Sequence, residues 1–238
     1  MSDRGTVRGY PNLAATIGAV SGVSRRLDRT PGDGAVQRAA AAIRDMVMQR
    51  RLLPGQQLRQ EEIAHQIGIS RGPIREALQI LGVDGVVEYE RNRGYFVAQF
   101  SSDEMSQLYL ARDLLETAVL TKLSVPSDED LAELVEINEV IRNAGTDVDV
   151  MMRHNDRFHA GMLELSSQRL LVAEILRIWR MSVAYRALSL SVLANGAALA
   201  EDHDPMIEAL RVGDGARLAE LWRSHRQVSL NRLLPILR

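Results

Sequence analysis

The sequence predicts a mostly α chain: three helices closed by a small β-wing, then an antiparallel all-α bundle of about six helices. Three observations carry that expectation. Ser70 to Val97 reads as a helix followed by a hairpin. Ala35 to Ile67 places two further helical stripes ahead of it. From Met105 onward apolar residues recur at helical spacing, with no β-rich run between them.

Residues 1–34 are rich in Gly, Ser, Arg and Pro and lack a sustained period, which predicts a flexible arm. Ala35 to Arg51 is amphipathic, with Val36, Ala39, Ala40, Ile43, Met46 and Val47 on its apolar stripe. Pro54-Gly55 stops it, and Leu58-Arg59 suits a short strand. Glu61 to Ile67 forms a short second helix, and Gly68 lets the chain turn. Ser70 then suits an N-cap, with Pro73 in the first turn, where its missing N–H is harmless. Ile74, Leu78 and Leu81 share one face of this third helix; Arg71 and Arg75 lie one turn apart on another, and Glu76 is expected to pair locally. Val86 to Tyr89 and Tyr95 to Val97 are β-rich and joined by Arg91-Asn92-Arg93-Gly94. That order of elements over 35–98 is a winged helix-turn-helix.

Residues 99–104 read as a linker, and Ser101-Ser102-Asp103-Glu104 as a helix start. The second domain, 105–238, is expected as helices at about 103–124, 127–143, 147–166, 168–193, 197–212 and 214–237. The breaks fall at Val125-Pro126-Ser127, Ala144-Gly145-Thr146, Ser166-Ser167, Ala194-Asn195-Gly196 and Gly213-Asp214.

A helix and wing tipped with arginines suit a DNA groove and its flanking phosphates. The expected contact set is Ser70, Arg71, Gly72, Pro73 and Arg75 at the helix start, with Arg91, Asn92, Arg93 and Gly94 on the wing. Charge agrees: residues 1–100 carry 14 arginines against 10 carboxylates, whereas residues 101–238 carry 15 basic residues against 21 acidic ones. Glu61, ahead of the helix, cannot attract phosphate.

Four of the five histidines lie in the bundle half. Asn155 and His159 are four apart and share a helix side; His154 reads as locally bonded. His203 precedes the apolar Ile207 and Leu210, and His225 lies near Leu221 and Val228. Three histidines and one oxygen ligand suit a divalent transition metal. The alternative reading is a metal-dependent hydrolase whose histidines activate water, but no HExxH, nucleophile elbow or general-base motif accompanies them and the winged helix is left unexplained. A third reading is a sensor acting through protein contacts alone. The absence of cysteine excludes disulfides and thiolate-ligated zinc. No apolar run is long enough to cross a membrane and no charged start leads into an apolar segment, so a cytoplasmic protein is expected.

The run from Leu52 to Val97 resembles the N-terminal domain of GntR-type bacterial transcription regulators, on Pro54-Gly55, Ser70-Arg71, Pro73, Arg75-Glu76-Ala77-Leu78 and Gly94. Residues 105–232 resemble the all-helical FCD ligand-binding domain of the FadR branch, on Asn155, His159, His203, His225 and the Arg112-x-x-Leu115-Glu116 motif. The resemblance implies a homodimer reading operator DNA with its helix arginines. It also implies a metal (Zn, Ni or Mn) on Asn155, His159, His203 and His225, a small carboxylate effector paired with Arg112, and no enzymatic activity. Two departures carry expectations of their own. Asn155 replaces the commoner Asp, which lowers the charge available to a metal. Pro205 is expected to start or kink its helix and so displace His203.

Overall fold

Periodicity becomes packing first around the third helix. The computed structural model describes residues 33–193 and 195–237; the arm expected over 1–34 lies outside them except for its last two residues. Helix α1 (Asp33–Met48) packs its stripe of Val36, Ala39, Ala40, Ile43, Met46 and Val47 on α3 (Arg71–Val83). From α3, Ile74, Ala77, Leu78 and Leu81 are completely buried in return. Each large side chain so buried stabilises the fold by about 1.5–3 kcal/mol. Between them, α2 (Gln60–Ile67) ends at Gly68, whose φ of 72° is the left-handed stop that re-aims the chain.

Ser70 takes the N-cap position of α3, but its hydroxyl accepts no hydrogen bond from the helix, which corrects the expected cap. The reason lies in the sequence: Pro73 stands at the third helical position and has no N–H to offer. Glu76 is exposed and forms no ion pair among the described residues, contrary to expectation.

Strands β1 (Gln57–Leu58), β2 (Val87–Glu90) and β3 (Gly94–Val97) form one antiparallel sheet in the order β1-β3-β2. Val87 opposes Val97 and Glu90 opposes Gly94. The tip turns on two positive φ values, 64° at Asn92 and 94° at Gly94; Asn and Gly tolerate that conformation best.

The second part holds seven helices, not six. Helix α4 (Ser102–Leu120) opens with a reciprocal Ser101–Glu104 capping box, and α5 (Asp128–Arg142) with Ser127–Asp130. Then come α6 (Val148–Glu164), α7 (Arg169–Met181), α8 (Val183–Leu193), α9 (Gly196–Arg211) and α10 (Gly215–Leu233), followed by a 3-10 turn at Leu234–Ile236. The single helix expected over 168–193 breaks at Ser182, where no Gly or Pro announces it. Its hydroxyl lies 3.2 Å from Trp179 O and 3.4 Å from Ile178 O, a side-chain competitor for backbone partners.

Helix α5 packs on α6 and α9, α10 on α4, α8 and α9, and α7 on α4. Gly196 sets the start of α9: a Cβ there would lie 2.2 Å from Ile141 O, so only glycine admits this approach. Helix α9 runs through Pro205 without ending, and His203 is fully buried rather than displaced. Polar contacts join the two parts beside the packing of α1 on α8. Arg50 pairs with Asp149 at 2.6 Å, the Phe100 N–H donates to Tyr185 Oη at 2.7 Å, and Arg180 pairs with Asp84 at 3.3 Å. Among the described residues no helix is long and apolar enough to cross a membrane.

Candidate functional site

The exposed start of α3 carries Arg71 and Arg75, and the wing tip carries Arg91 and Arg93. Ser70, Arg71, Gly72 and Arg75 are exposed, Pro73 half-buried. Arg75 and Arg91 have no ion-pair partner among the described residues. Arg71 does: its Nη1 donates to Glu61 Oε1 at 2.7 Å, so the carboxylate that cannot attract phosphate partly neutralises the first helix arginine. Both side chains are about two-thirds or more exposed, so the pair is weak and readily exchanged. On the wing, Arg93 pairs with Glu90 and lies over the Phe96 ring at 4.9 Å. Asn92 and Arg91 stand exposed at the tip beside Gly94.

Inside the bundle the three histidines predicted from sequence meet. His159 comes from α6, His203 from α9 and His225 from α10, and one ring nitrogen of each lies within 4.8 Å of the others. Their ring centroids form a near-equilateral triangle of 5.0, 5.0 and 5.2 Å. Aromatic rings wall it: Phe158 stacks on His203 at 4.2 Å, and Trp222 meets His159 edge-on at 4.4 Å. His154 is excluded from the cluster; its Nδ1 lies 2.9 Å from Val150 O.

One polar atom of each residue in this cluster is left without a hydrogen bond among the described residues. His159 Nδ1, His203 Nε2, His225 Nδ1 and Asn155 Oδ1 are all buried with no hydrogen bond. Such orphans are rare in folded proteins and converge here from three helices. His225 Nδ1 lies 3.6 Å from Asp202 Oδ2, too far for a hydrogen bond. His203 is oriented from behind: its Nδ1 lies 3.0 Å from Asn138 Oδ1, so Nδ1 carries the proton and Nε2 offers a lone pair. The amide of Asn138 is held in turn by Ala200 O at 3.1 Å and Asp204 Oδ1 at 2.8 Å. Burial, then the charges of His203, His225, Arg112 and Arg186, hold His159 well below the ordinary 6.5. Burial and then His225 do the same to His203. Neutral imidazoles with free lone pairs fit a divalent metal.

Asn155, His159 and His225 open onto a cavity of about 40 Å³ that Arg112 also lines. Arg112 is buried, and its Nε donates to Glu116 Oε1 at 2.8 Å. Glu116, fully buried, also accepts from Trp179 and Trp222 at 2.8 Å each and from Arg226. Burial raises its carboxyl, but Arg112 and Arg226 outweigh that and leave it below its ordinary value. The terminal nitrogens of Arg112 make no hydrogen bond among the described residues, and the guanidinium lies 4.5 Å from the Trp179 ring centroid. Asp156, beside Asn155, points elsewhere and pairs with Arg186.

Asn138, Arg186 and Arg226 do not figure in the sequence-based site. Each is a polar residue on a stripe otherwise apolar, which is the signal that would have found it. Asn138 sits among Leu134, Ile137 and Ile141; Arg186 among Ala187 and Leu190.

Comparison with known proteins agrees with this division. Residues 35–97 match the family model described as bacterial regulatory proteins, gntR family, and residues 107–228 match the FCD domain. The chain is 28% identical to a probable D-xylose utilization operon transcriptional repressor of Paenarthrobacter nicotinovorans over 85% of its own length and 88% of that protein. It is 25% identical to the Escherichia coli repressor GlaR, over 72% of this chain and 83% of the other. An uncharacterized HTH-type regulator of Bacillus subtilis matches at 27% over only 58% of its length. The fold superposes on E. coli McbR/YncC with a TM-score of 0.73 at 22% identity, covering 85% of this chain and 98% of that one. A winged helix that matches the gntR model, followed by an FCD bundle that matches over half the chain, makes this protein a member of the gntR family: a DNA-binding transcription regulator and not an enzyme.

Proposed function

We propose that this regulator senses a small carboxylate metabolite in the histidine–arginine pocket, that the pocket holds a divalent transition metal (Zn, Ni or Mn), and that occupancy changes the operator affinity of a homodimer. The observation that carries this is the convergence of His159, His203 and His225, one ring nitrogen of each within 4.8 Å of the others, beside Asn155, which lines the same cavity and whose Oδ1 is buried without a hydrogen bond. A bound metal supplies Lewis-acid attraction for a carboxylate oxygen, with ligand positions left open by this protein set. Arg112, with two free terminal nitrogens, pairs with the carboxylate. Tight Glu116 bonding fixes the Arg112 guanidinium in place before ligand arrives.

At the other end, Ser70, Arg71, Gly72, Pro73 and Arg75 take the major groove and backbone. Arg91, Asn92, Arg93 and Gly94 take the neighbouring groove. Two such heads on a two-fold dimer would read paired half-sites. Leu110 and Leu114, 58% and 64% exposed one turn apart on α4, support a dimer face there. Two relatives are named as repressors, which favours repression by the DNA-bound form.

The cavity has room for about three waters. Seating an acid must widen it, and Trp179 on its wall is followed by Arg180, the residue that touches the DNA-binding part. Differential affinity for two bundle arrangements is all that such control requires. The test is operator selection from a random duplex library, then anisotropy titrations with short-chain hydroxy acids on zinc-loaded and chelator-treated protein. An acid that shifts operator affinity only in the loaded protein supports the reading. A response indifferent to both acids and chelation refutes it.

A further inference from the structure

The cavity lining has an unusual charge inventory. It carries four arginines, Arg112, Arg186, Arg226 and Arg232, and no carboxylate. Behind it, Glu116 serves Arg112 and Arg226, Asp113 also serves Arg226, and Asp156 serves Arg186. Arg232 forms no close ion pair among the described residues, although, behind His225, its charge helps hold the Asp202 carboxyl below its ordinary value. Arg186 is 7% exposed, and although its terminal nitrogens bind Asp156 and Trp179 O, its Nε is buried without a partner. The wall therefore holds one cation outside any close ion pair and one unused buried donor beyond what the histidine end needs.

Spacing gives these groups a common direction. His225, Ser229 and Arg232 follow one another on α10, and seven residues are two helical turns, so His225 and Arg232 share a face about 10 Å apart along the axis. The Arg232 side chain leans back toward the helix N-terminus, over Ser229, which lines the same cavity. A single carboxylate at the histidine end satisfies Arg112 and leaves Arg186 Nε and Arg232 unanswered.

Resting on the carboxylate reading above, we infer that the ligand is a small dianion: one carboxylate at the histidine–Arg112 end, and a second anionic group, carboxylate or phosphate, held by Arg232 with Ser229 and Arg186 Nε. Arg232 is then the residue that separates diacids from monoacids of the same length class.

The experiment is calorimetric titration of the zinc-loaded full chain with lactate, malate and 3-phosphoglycerate, which share an α-hydroxy acid head and differ in the second anion. Malate or phosphoglycerate should bind at least about tenfold more tightly than lactate. Which of the two wins identifies the second anion as carboxylate or phosphate. Arg232→Gln should reduce the preference to within about threefold, and Arg232→Lys should restore most of it. Equal affinity for lactate and both dianions overturns this inference and leaves the carboxylate reading standing, as does a preference untouched in Arg232→Gln. Binding of none of the three acids overturns both. Equal zinc content and melting temperature in the variants rule out misfolding as the cause.

Discussion

Arg180, in the last turn of α7, is ion-paired at 3.3 Å with Asp84, which caps the end of the recognition helix α3. Asp84 is shared with Arg44 of α1 at 2.5 Å. The neighbours of Arg180 extend the connection on both sides. Trp179 lines the cavity and bonds Glu116, while Met181 packs so closely on Gly85 that a Cβ at that glycine would lie 2.6 Å from Met181 Cγ. Three consecutive residues thus touch the pocket, the end of α3 and the turn into the wing.

Arg180→Ala should separate sensing from DNA binding. The pair is partly exposed, so its loss should cost no more than about 1 kcal/mol of stability. Operator affinity without ligand should stay within about threefold, whereas the shift produced by a bound acid should shrink. Anisotropy titrations with and without the acid measure both. A full ligand response in Arg180→Ala would assign the coupling elsewhere, to the Phe100–Tyr185 or Arg50–Asp149 contacts.

Arg75→Ala should weaken operator binding by about 1–3 kcal/mol and relax base preference at one position, with the fold and metal content unchanged. Glu61→Gln should act in the opposite direction. It releases Arg71 and removes a negative charge from the DNA face, so affinity for any duplex rises and becomes more sensitive to salt. Retained operator affinity in Arg75→Ala would show that α3 presents another face to DNA.

Much of this was legible in the sequence, for identifiable reasons. The α1 and α3 stripes and the Ser101 cap are local signals, and each element formed where its signal lay, although α1 ends at Met48, short of Arg51 and of the Pro54-Gly55 stop, with Arg50 at a φ of 60°. The three histidines were legible because Asn155, His159, His203 and His225 match the FCD pattern and because Asn155 and His159 are one helical turn apart. What escaped was non-local. Asn138 orients His203 from 65 residues away; its place on an apolar stripe marks it as unusual, but nothing local pairs it with His203. The break at Ser182 hides in a helix-compatible run, because it is made by a hydroxyl competing for carbonyls rather than by Gly or Pro. Ser70 failed as a side-chain cap because Pro73 removed the donor, a conflict between two signals each favourable alone.

The buried histidines set a pH dependence for the metal-free protein. His159 and His203 both titrate well below the ordinary 6.5 when folded. Above the unfolded value neither state binds protons there, and stability is level. As pH falls below about 6.5 the unfolded chain takes up protons that the folded one refuses, so stability declines, by up to about 1.4 kcal/mol per pH unit for each histidine. Thermal melts between about pH 8 and 5 should show the decline starting near 6.5, and His203→Gln should make it shallower. A flat profile across that window would contradict the placement of two neutral imidazoles in the core.

Leu114→Glu, on the exposed side of α4, should convert the proposed dimer to monomers in sedimentation while leaving helix content intact. Loss of the second head should lower affinity for a paired-site operator by about a hundredfold and leave single half-site binding unchanged. A dimer that survives both this change and Leu110→Glu places the interface on another face.

The measurement that bears most directly on the pocket is metal content, by elemental analysis of the full chain exposed to Zn, Ni and Mn and then dialysed. Wild type should retain close to one ion per chain, with a raised melting temperature. His159→Gln and His203→Gln should retain little. Asn155→Asp, which restores a charged oxygen at the fourth position, should hold the ion more tightly. A wild-type chain that retains none of the three metals, with its melting temperature unmoved by them, would contradict the assignment of Asn155, His159, His203 and His225 as a metal site.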